Sequence, residues 1–276
     1  MNLSVSVIMA TYNRASLVTR AIKSVIDQSF NDWEFIIVDD ASNDETSRIL
    51  SEWQKKEKRI KIIRNEINLW RDKGLAGNLN KAIKEARGKY IARIDDDDHW
   101  INSDKLKKQV EFLEQNPDYV LCGGGVVVED KYHKETFRYL KAEKDEDIRK
   151  KALIANPFAH GTVLYSKSSF EKVGGYENSK YIEDWELWLK LGKIGKFYNF
   201  NEYFLRYLGG QDNLSFIHQK EQFKTALKLI KKYRNNYPNW VPAYFFNFLQ
   251  YFYALLPVFI KKFLNPVLAR LKQNYF

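Results

Sequence analysis

The amino-acid sequence predicts an α/β fold in which helices cover both faces of a mostly parallel β-sheet. Short β-rich runs alternate with helical patterns through the first hundred residues, and these runs are apolar almost throughout. Uninterrupted apolar strands are typical of a sheet buried on both faces, and strand–helix alternation is typical of parallel pairing. In addition, a polar or acid-rich loop begins where three of the strands end.

The first hundred residues supply four predicted strands and three predicted helices. The strands are the apolar runs at 4–10, 33–39, 59–64 and 90–94. Helical patterns are expected over 15–27, after the capping residues Asn43 and Asp44, and near 75–87. Ligands of parallel sheets bind at the carboxyl ends of the strands. We therefore expect the loops TYNR, DDASND and DDDDHW to line one crevice.

The following hundred residues are less regular. The run YVLCGGGVVVED at 119–130 predicts a long strand or a hairpin, and GTVLYS at 161–166 predicts a strand with a helix after it, from Ser168 to Val173. The segment 174–195 turns at its glycines and then becomes amphipathic, which predicts a helix. Its core face is expected to include Trp185 and Trp188, although both side chains could instead stack on a sugar.

Length and composition favour one large domain with an extension. The chain has 276 residues, of which 45% are hydrophobic, so it can bury a sizeable core. A single cysteine, Cys122, excludes an intrachain disulfide framework and suits a reducing cytoplasm. The first residues contain neither a basic region nor a cleavage site, so we expect no signal peptide.

The charge distribution divides the chain near residue 215. The net charge of the chain is +10. Residues 216–276 carry ten Lys and Arg and one acidic residue, a net charge of +9, so residues 1–215 have a net charge of +1. We therefore predict a catalytic domain over 1–215 and a helical, basic and aromatic extension over 216–276. A strongly basic segment beside a nearly neutral body indicates an anionic surface as the partner of that segment.

The aromatic stretch AYFFNFLQYFYALLPVFI at 243–260 leaves two interpretations open. Asn247, Gln250 and Pro257 argue against a simple transmembrane helix. The stretch could lie on anionic lipid, because lysines flank it, and the protein would then be cytoplasmic and peripheral at the inner face of the plasma membrane. Alternatively, it forms a helix pair that packs on the catalytic domain.

Four consecutive aspartates, Asp95 to Asp98, follow the apolar run that ends at Ile94. Adjacent carboxylates repel one another, and they are costly after a buried strand unless a counter-ion is present. Oxygen ligands suit Mg²⁺ or Mn²⁺, which is commonly held by one or two carboxylates together with substrate phosphates. The loop therefore predicts a divalent-metal site for a diphosphate group.

Two further acidic pairs have both a functional and an ordinary interpretation. Asp40, at the end of the second predicted strand, could accept hydrogen bonds from a nucleoside, whereas Ser42 to Asp44 form a turn and a helix cap. Glu183 and Asp184 begin a predicted helix, where the helix dipole favours ionised carboxylates. An ionised carboxylate in a cleft could take the proton of an acceptor hydroxyl, but the same residues could simply cap the helix.

These segments, in their order and spacing, resemble the family 2 glycosyltransferases of GT-A fold. The resemblance rests on SVIMATYNR, QSFNDWEFIIVDDASNDET, YIARIDDDDHW and GGYENSKYIEDWELWLK, and it covers roughly residues 3–215. It implies a metal-dependent, inverting enzyme of the bacterial surface-glycan type. Such an enzyme moves a sugar from a UDP- or dTDP-sugar to a hydroxyl of a glycan or a lipid-linked acceptor, in cell-envelope polysaccharide biosynthesis.

The resemblance also implies roles for individual residues. Asp184 would be the catalytic base, and Glu183 would orient it or contact the acceptor. Asp97 and Asp98 would hold Mn²⁺ or Mg²⁺. The donor-binding residues would be Thr11, Tyr12, Arg14, Asp40, Asp95 and Asp97.

The sequence departs from the family pattern at two places, and other functions remain open. The stretch NLWRDKGLAGNLN at 68–80 is longer than the N-x-G-x-A-x-A-R-N-like stretch of many relatives, and only Asn78 aligns with it. Leu208 stands where many relatives carry a histidine in a Tyr-Arg-x-His run, while His160 precedes a strand and is more typical of a structural residue. An inactive sugar-nucleotide-binding membrane module, a nucleotidyltransferase and a nucleic-acid-binding protein are the alternatives. Nucleic acid is not expected as a partner, because the positive charge lies away from the motifs.

Overall fold

The computed structural model describes residues 3–178, 181–209 and 218–257. Within these ranges a nine-stranded sheet carries helices on both faces. The predicted domain boundary at 215 and residues 258–276 of the predicted extension lie outside the described ranges.

The first half of the sheet is parallel, as the sequence predicts. Its strands are β1 (Val5–Thr11), β2 (Trp33–Asp39), β3 (Ile60–Arg64) and β4 (Tyr90–Arg93), in the spatial order β3-β2-β1-β4. The connecting helices are α1 (Val18–Ile26), α2 (Thr46–Lys56) and α3 (Trp70–Lys84). Because the four strands run in one direction, their carboxyl ends lie along one edge of the sheet.

The second half of the sheet is mixed. It contains β5 (His99–Trp100), β6 (Tyr119–Glu129), β7 (Glu135–Tyr139), β8 (Leu164–Ser166) and β9 (Lys196–Leu208). The antiparallel strand β8 lies between β4 and β6, β9 runs parallel to β6, and β5 pairs antiparallel with the end of β9. The helices are α4 (Lys105–Gln115), α5 (Asp145–Lys151), α6 (Lys167–Lys172) and α7 (Glu183–Leu191), with a 3₁₀-helix at His160–Thr162.

The clearest difference between predicted and observed elements is at α3. A helix is predicted near 75–87, but α3 begins at Trp70 and ends at Lys84. Gly74 interrupts it with φ 59° and ψ −166°, a conformation that glycine adopts without the penalty of a Cβ atom. Two helical segments therefore meet at Gly74, and the second begins near the predicted start.

Residues that alternate along β1 and β2 build a core on each face of the sheet. Val7 and Phe35 belong to the core that includes α1 and α4, whereas Ile8 and Ile36 belong to the core that includes α3 and α7. Trp188 of α7 is fully buried in the second core. It is therefore a packing residue and does not present a surface on which a sugar could stack.

Two further helices, α8 (Gln219–Tyr233) and α9 (Trp240–Leu255), pack on the helix that carries Glu183 and Asp184. Leu229 and Ile230 of α8 share a buried cluster with Trp185 and Leu189 of α7. The Tyr237 hydroxyl, between the two helices, donates a hydrogen bond of 2.9 Å to the Leu189 carbonyl. These contacts attach the beginning of the predicted extension to the rest of the fold.

The other face of α9 is apolar and exposed. Phe245 is 62% exposed, and the same face includes Trp240, Val241, Phe248, Leu249, Phe252 and Leu255. No helix among the described residues has the length and apolarity needed to cross a membrane. The pair α8–α9 thus combines features of both interpretations left open by the sequence, a packed face and an exposed aromatic face.

Candidate active site

The loops after β1 and β2 are joined by hydrogen bonds that fix their relative positions. The Asn13 amide donates to the Ser42 hydroxyl at 3.0 Å, and the Asn43 amide donates to Asn13 Oδ1 at 2.9 Å. The Arg14 amide donates to the Thr46 hydroxyl at 2.8 Å. Asn13 adopts a left-handed conformation with φ 53°, which asparagine tolerates better than most residues. The two loops therefore form one wall at the carboxyl edge of the sheet.

The three predicted donor-binding residues of the first loop differ in exposure. Thr11 is buried at the end of β1, whereas Tyr12 is 42% exposed and can reach a ligand. The Arg14 guanidinium lies 3.6 Å from Asp96 Oδ1, measured from Nε. The first loop is thus in contact with both the loop after β2 and the aspartate loop, and the three loops meet at one edge of the sheet.

Asp40 is buried and anchors the loop that follows β3. Its Oδ1 atom accepts hydrogen bonds from Asn65 Nδ2 at 2.7 Å and from the Leu69 amide at 2.9 Å. Asn65 Nδ2 also lies 2.8 Å from Asn78 Oδ1. The carboxylate predicted to recognise the nucleoside therefore has a structural role too. Sequence reasoning did not find Asn65 as its partner.

Within the aspartate loop, Asp95 has a counter-ion from the protein itself. Arg93, buried at the end of β4, forms a bidentate ion pair with the Asp95 carboxylate. Burial alone would lower the pKa of Arg93, but the charge of Asp95 raises it, so the guanidinium stays charged. Arginine is the only charged residue in the otherwise apolar run YIARI, and this was the sequence signal for its pairing role.

Of the remaining three aspartates, Asp96 lies near Arg14, whereas Asp97 and Asp98 have no basic side chain of the described residues within ion-pair distance. Burial and the charge of Asp97 raise the pKa of Asp96 to about 7. Burial and the charge of Asp95 raise the pKa of Asp97. Asp98 is 1% exposed, and burial together with the charges of Asp95 and Asp97 raises its pKa well above the usual range.

Asp98 has one satisfied oxygen and one orphaned oxygen. Oδ1 accepts a hydrogen bond of 3.1 Å from the Leu208 amide of β9. Oδ2 is buried and lacks a hydrogen-bond partner among the described residues. Leu208, a position at which the sequence departs from the expected pattern, thus contributes its backbone N–H to the loop.

The aspartate loop fits a divalent cation that substrate helps to hold. Over the described ranges, the structure contains no group of three or more His, Cys, Asp or Glu side chains arranged to hold a metal. A cation of the Mg²⁺ type needs only one or two carboxylates when phosphate oxygens and water complete its coordination. The orphaned Asp98 Oδ2 and the charge of Asp97 meet that requirement.

Asp184 lies in the first turn of α7, held by polar contacts. Its Oδ2 atom accepts a hydrogen bond of 2.7 Å from Asn156 Nδ2, and its Oδ1 atom accepts one of 2.7 Å from the Trp185 amide. Burial raises the pKa of Asp184, and these hydrogen bonds and the charge of Arg93 oppose that rise. Burial and the charge of Asp184 likewise raise the pKa of Glu183.

His160 and Asn156 are site residues whose placement sequence reasoning did not establish. His160 Nδ1 lies 3.9 Å from Asp184 Oδ2, beyond hydrogen-bond length, while its Nε2 lies 2.7 Å from the Tyr176 hydroxyl. Burial and the charge of Arg93 hold the pKa of His160 well below its usual range, so the ring is neutral and forms no ion pair. The polar run NPFAH between two apolar stretches was the sequence signal for both residues.

A second polar cluster contacts the backbone of the aspartate loop. Glu129, buried at the end of β6, pairs with Arg20 at 2.7 Å, and Arg206 of β9 lies 3.6 Å from its other oxygen. Arg20 also donates to the Asp97 carbonyl at 3.4 Å. This cluster connects the loop backbone to α1, β6 and β9, and Arg206 takes part in it through Glu129.

Comparison with known proteins identifies the family. A family model described as glycosyl transferase family 2 matches residues 6–174. The putative glycosyltransferase EpsE of Bacillus subtilis is 37% identical over 203 residues, covering 72% of this chain and 70% of that protein. The putative teichuronic acid biosynthesis glycosyltransferase TuaG, also from B. subtilis, is 33% identical over 234 residues, covering 83% of this chain and 87% of that protein.

Solved structures share the fold. Residues 1–349 of TarS from S. aureus superpose with a TM-score of 0.67 at 16% identity, covering 92% of this chain and 76% of that one. The match covers 40% of a longer TarS chain. The mannosyltransferase PcManGT of Pyrobaculum calidifontis, solved with GDP-Man and Mn²⁺, has a TM-score of 0.65 at 17% identity, covering 90% of this chain and 69% of that one. The chain therefore belongs to glycosyl transferase family 2, and it has the GT-A fold that its resemblance to this family implies.

Proposed function

We propose that the protein is an inverting glycosyltransferase that transfers a sugar from a nucleotide-sugar to a hydroxyl of a glycan or lipid-linked acceptor, in cell-envelope polysaccharide biosynthesis. One observation carries the proposal. Arg93 pairs with Asp95 of the aspartate loop, and its charge also acts on Asp184 of α7. This electrostatic coupling through one buried arginine supports a donor site and a base that act in the same reaction.

The donor is proposed to be a UDP- or dTDP-sugar. Related folds have been solved with UDP-GlcNAc in TarS and with GDP-Man and Mn²⁺ in PcManGT, which supports a nucleotide-sugar here. Thr11, Tyr12 and Arg14 would contact the nucleotide, Asp40 the base, and Asp95 and Asp97 the sugar-phosphate side. Asp97 and Asp98 would hold Mn²⁺ or Mg²⁺, and the bound ion would stabilise charge on the leaving diphosphate as a Lewis acid.

Asp184 is proposed to act as the general base. Its carboxylate would accept the proton of the acceptor hydroxyl while the hydroxyl oxygen bonds to the anomeric carbon of the donor. The bond between that carbon and the diphosphate oxygen breaks on the opposite side, so the configuration inverts. The Asn156 side chain fixes the orientation of Asp184, and the buried position raises the carboxylate's pKa and hence its basicity. Glu183 would contact the acceptor or orient Asp184.

The test is metal-dependent stabilisation by nucleotides. A ligand that binds only the native state raises the melting temperature. We expect UDP or dTDP to raise it in the presence of Mn²⁺ or Mg²⁺ and not with EDTA, and the Asp98→Asn variant to lose this response. A matched control is Asp118→Asn, which changes an exposed aspartate beside Lys196 far from the loop. If no nucleoside diphosphate stabilises the wild-type protein with either metal, the proposed donor site is wrong.

We also propose that residues 216–276 attach the protein to an anionic membrane surface. The exposed apolar face of α9 and the exposed Lys220, Lys224, Lys228 and Lys231 of α8 support it, because this combination is typical of interfacial helices. We expect cosedimentation with vesicles of phosphatidylcholine and phosphatidylglycerol but not of phosphatidylcholine alone. Phe245→Ser with Phe252→Ser should abolish binding, and equal binding to both vesicle types would contradict the proposal.

A further inference from the structure

A pocket of about 530 Å³ lies between the beginning of α7 and the helix pair α8–α9. Asp184 and Asn156 line its inner side, and α8 and α9 supply its outer side. The volume is within the range of about 300–1,000 Å³ that is typical of small-molecule sites. The match to the family model ends at residue 174, before the three helices that border the pocket begin.

The outer side of the pocket is held in place by buried contacts. Asn247 of α9 is buried, and its side-chain amide donates to the Ile154 carbonyl at 3.1 Å. Lys232 of α8 forms an ion pair of 2.6 Å with Glu186 of α7. The helices therefore have a fixed position relative to Asp184, and the pocket is a feature of the folded domain.

The pocket is lined by aromatic rings and by the side-chain amides of two glutamines. Phe223 of α8 and Phe246 of α9 provide ring surfaces. Gln222 and Gln250 also line the pocket, and within the described ranges neither side-chain amide has a hydrogen-bond partner. Asn156, in contrast, already donates to Asp184. A few polar groups among aromatic side chains is the usual composition of a specific small-molecule site, and amides both donate to and accept from hydroxyl groups.

We infer that this pocket holds the terminal sugars of the acceptor, and that Gln222 and Gln250 determine which acceptor is used. The inference rests on the proposed role of Asp184, because a hydroxyl bound here lies beside that carboxylate. The two amides would hydrogen-bond to acceptor hydroxyls, and the rings of Phe223 and Phe246 would pack against the apolar faces of the sugar. The chemical class of the ligand is thus a carbohydrate with free hydroxyls.

The experiment measures carbohydrate binding with a panel of octyl glycosides that differ in the sugar and its hydroxyl configuration. Saturation-transfer NMR on the full chain, with nucleoside diphosphate and diamagnetic Mg²⁺ present, would detect sugar-ring protons that contact the protein. We expect at least one glycoside to bind, and Gln222→Ala and Gln250→Ala each to weaken it about fivefold, which corresponds to one neutral hydrogen bond of about 1 kcal/mol. The matched control is Gln219→Ala, on the same helix but outside the pocket lining.

The two hypotheses fail in different ways. If the nucleoside diphosphate still stabilises each variant but the glycoside affinity is unchanged from wild type, the inference is wrong and the proposed function stands. Failure of every glycoside in the panel to show saturation transfer would also overturn the inference. If nucleoside diphosphate does not stabilise the wild-type protein, the proposed function is contradicted instead. In a transfer assay, the acceptor KM should rise in both variants while the donor KM stays constant.

Discussion

At the scale of single residues, Arg93 determines how much of the aspartate loop's charge the protein balances itself. It neutralises Asp95, and Arg14 lies close to Asp96, but the described residues place no basic side chain within ion-pair distance of Asp97 or Asp98. Two adjacent carboxylates therefore remain in a buried setting that raises the pKa of each. A divalent ion with a bound diphosphate would relieve this repulsion, which is the physical argument for the metal.

The first prediction concerns Asp184. Asp184→Asn preserves the shape of the side chain but removes its ability to accept a proton, so transfer should fall by about 10²–10⁴-fold. Metal-dependent nucleotide binding should stay at the wild-type level, because the aspartate loop is unchanged. The control is Asp147→Asn, an exposed residue of the neighbouring helix α5. Full transfer activity in Asp184→Asn would show that another group is the base.

The second prediction concerns Lys105, which is fully buried in α4. Its ammonium group lies 4.0 Å from the centre of the Trp100 ring and 2.8 Å from Gln109 Oε1. Burial lowers the pKa of Lys105 to about 7, whereas a lysine in the unfolded chain has a pKa of about 10.4. Between these values the unfolded chain binds more protons, so the free energy of unfolding should increase as the pH rises.

Lys105→Met removes this titratable group. The free energy of unfolding of the variant should therefore rise less between neutral and alkaline pH than that of the wild-type protein. Urea unfolding near pH about 7 and about 9.5 measures the effect, with the exposed Lys107→Met of the same helix as the control. The change with pH is the readout, since the variant also leaves Gln109 Oε1 without its partner. An unchanged pH dependence would mean that the Trp100 ring keeps Lys105 protonated in the folded state.

At the scale of elements, the loop between β3 and α3 depends on a buried polar network around Asn65. Asn65 joins Asp40 to Asn78 of α3, and Lys81 Nζ donates to its Oδ1 atom at 2.6 Å. Asn65→Ala removes the donor to the buried Asn78 Oδ1 and one of the two hydrogen bonds to Asp40 Oδ1, which should reduce the free energy of unfolding by about 1–3 kcal/mol.

The same substitution should weaken nucleotide binding, because Asp40 loses a contact that orients it. Chemical denaturation measures the loss of stability, and calorimetry with UDP and Mn²⁺ measures the affinity. The control is Asn201→Ala, at an exposed position of β9. If Asn65→Ala is as stable as that control, the network contributes little and the position of Asp40 is fixed by the Leu69 amide alone.

At the scale of the whole molecule, α8 and α9 share a hydrophobic core with α7. This shared core predicts that the helix pair unfolds together with the catalytic part. Leu229→Ala creates a cavity in it and should lower the free energy of unfolding of the entire protein by about 2–5 kcal/mol. Leu249→Ala, which changes an exposed position of α9, should stay within about 0.5 kcal/mol of wild type.

Circular dichroism and tryptophan fluorescence should follow a single transition in both variants, as two-state unfolding requires. A separate, earlier transition of helical signal in Leu229→Ala would show that α8 and α9 form an independent unit. That result would favour the predicted boundary at 215 as a true domain boundary.

The sequence by itself determined the parallel half of the sheet and the edge at which its acidic loops lie. Apolar strands, helical periodicity and polar residues at the strand ends are local patterns, and the topology of parallel strands brings their ends together without further information. Thr11, Asp40 and the four aspartates could therefore be assigned to one crevice from sequence alone.

Only the tertiary structure decided which groups those residues meet. Asn65 meets Asp40 across 25 positions, Asn156 meets Asp184 across 28, and α8 packs on α7 from more than thirty positions away. The amphipathic pattern of α8 shows that one face will be covered, but the same pattern fits a lipid surface or a protein core. Contacts between distant segments depend on how the chain closes its loops, and local periodicity carries no information about that closure.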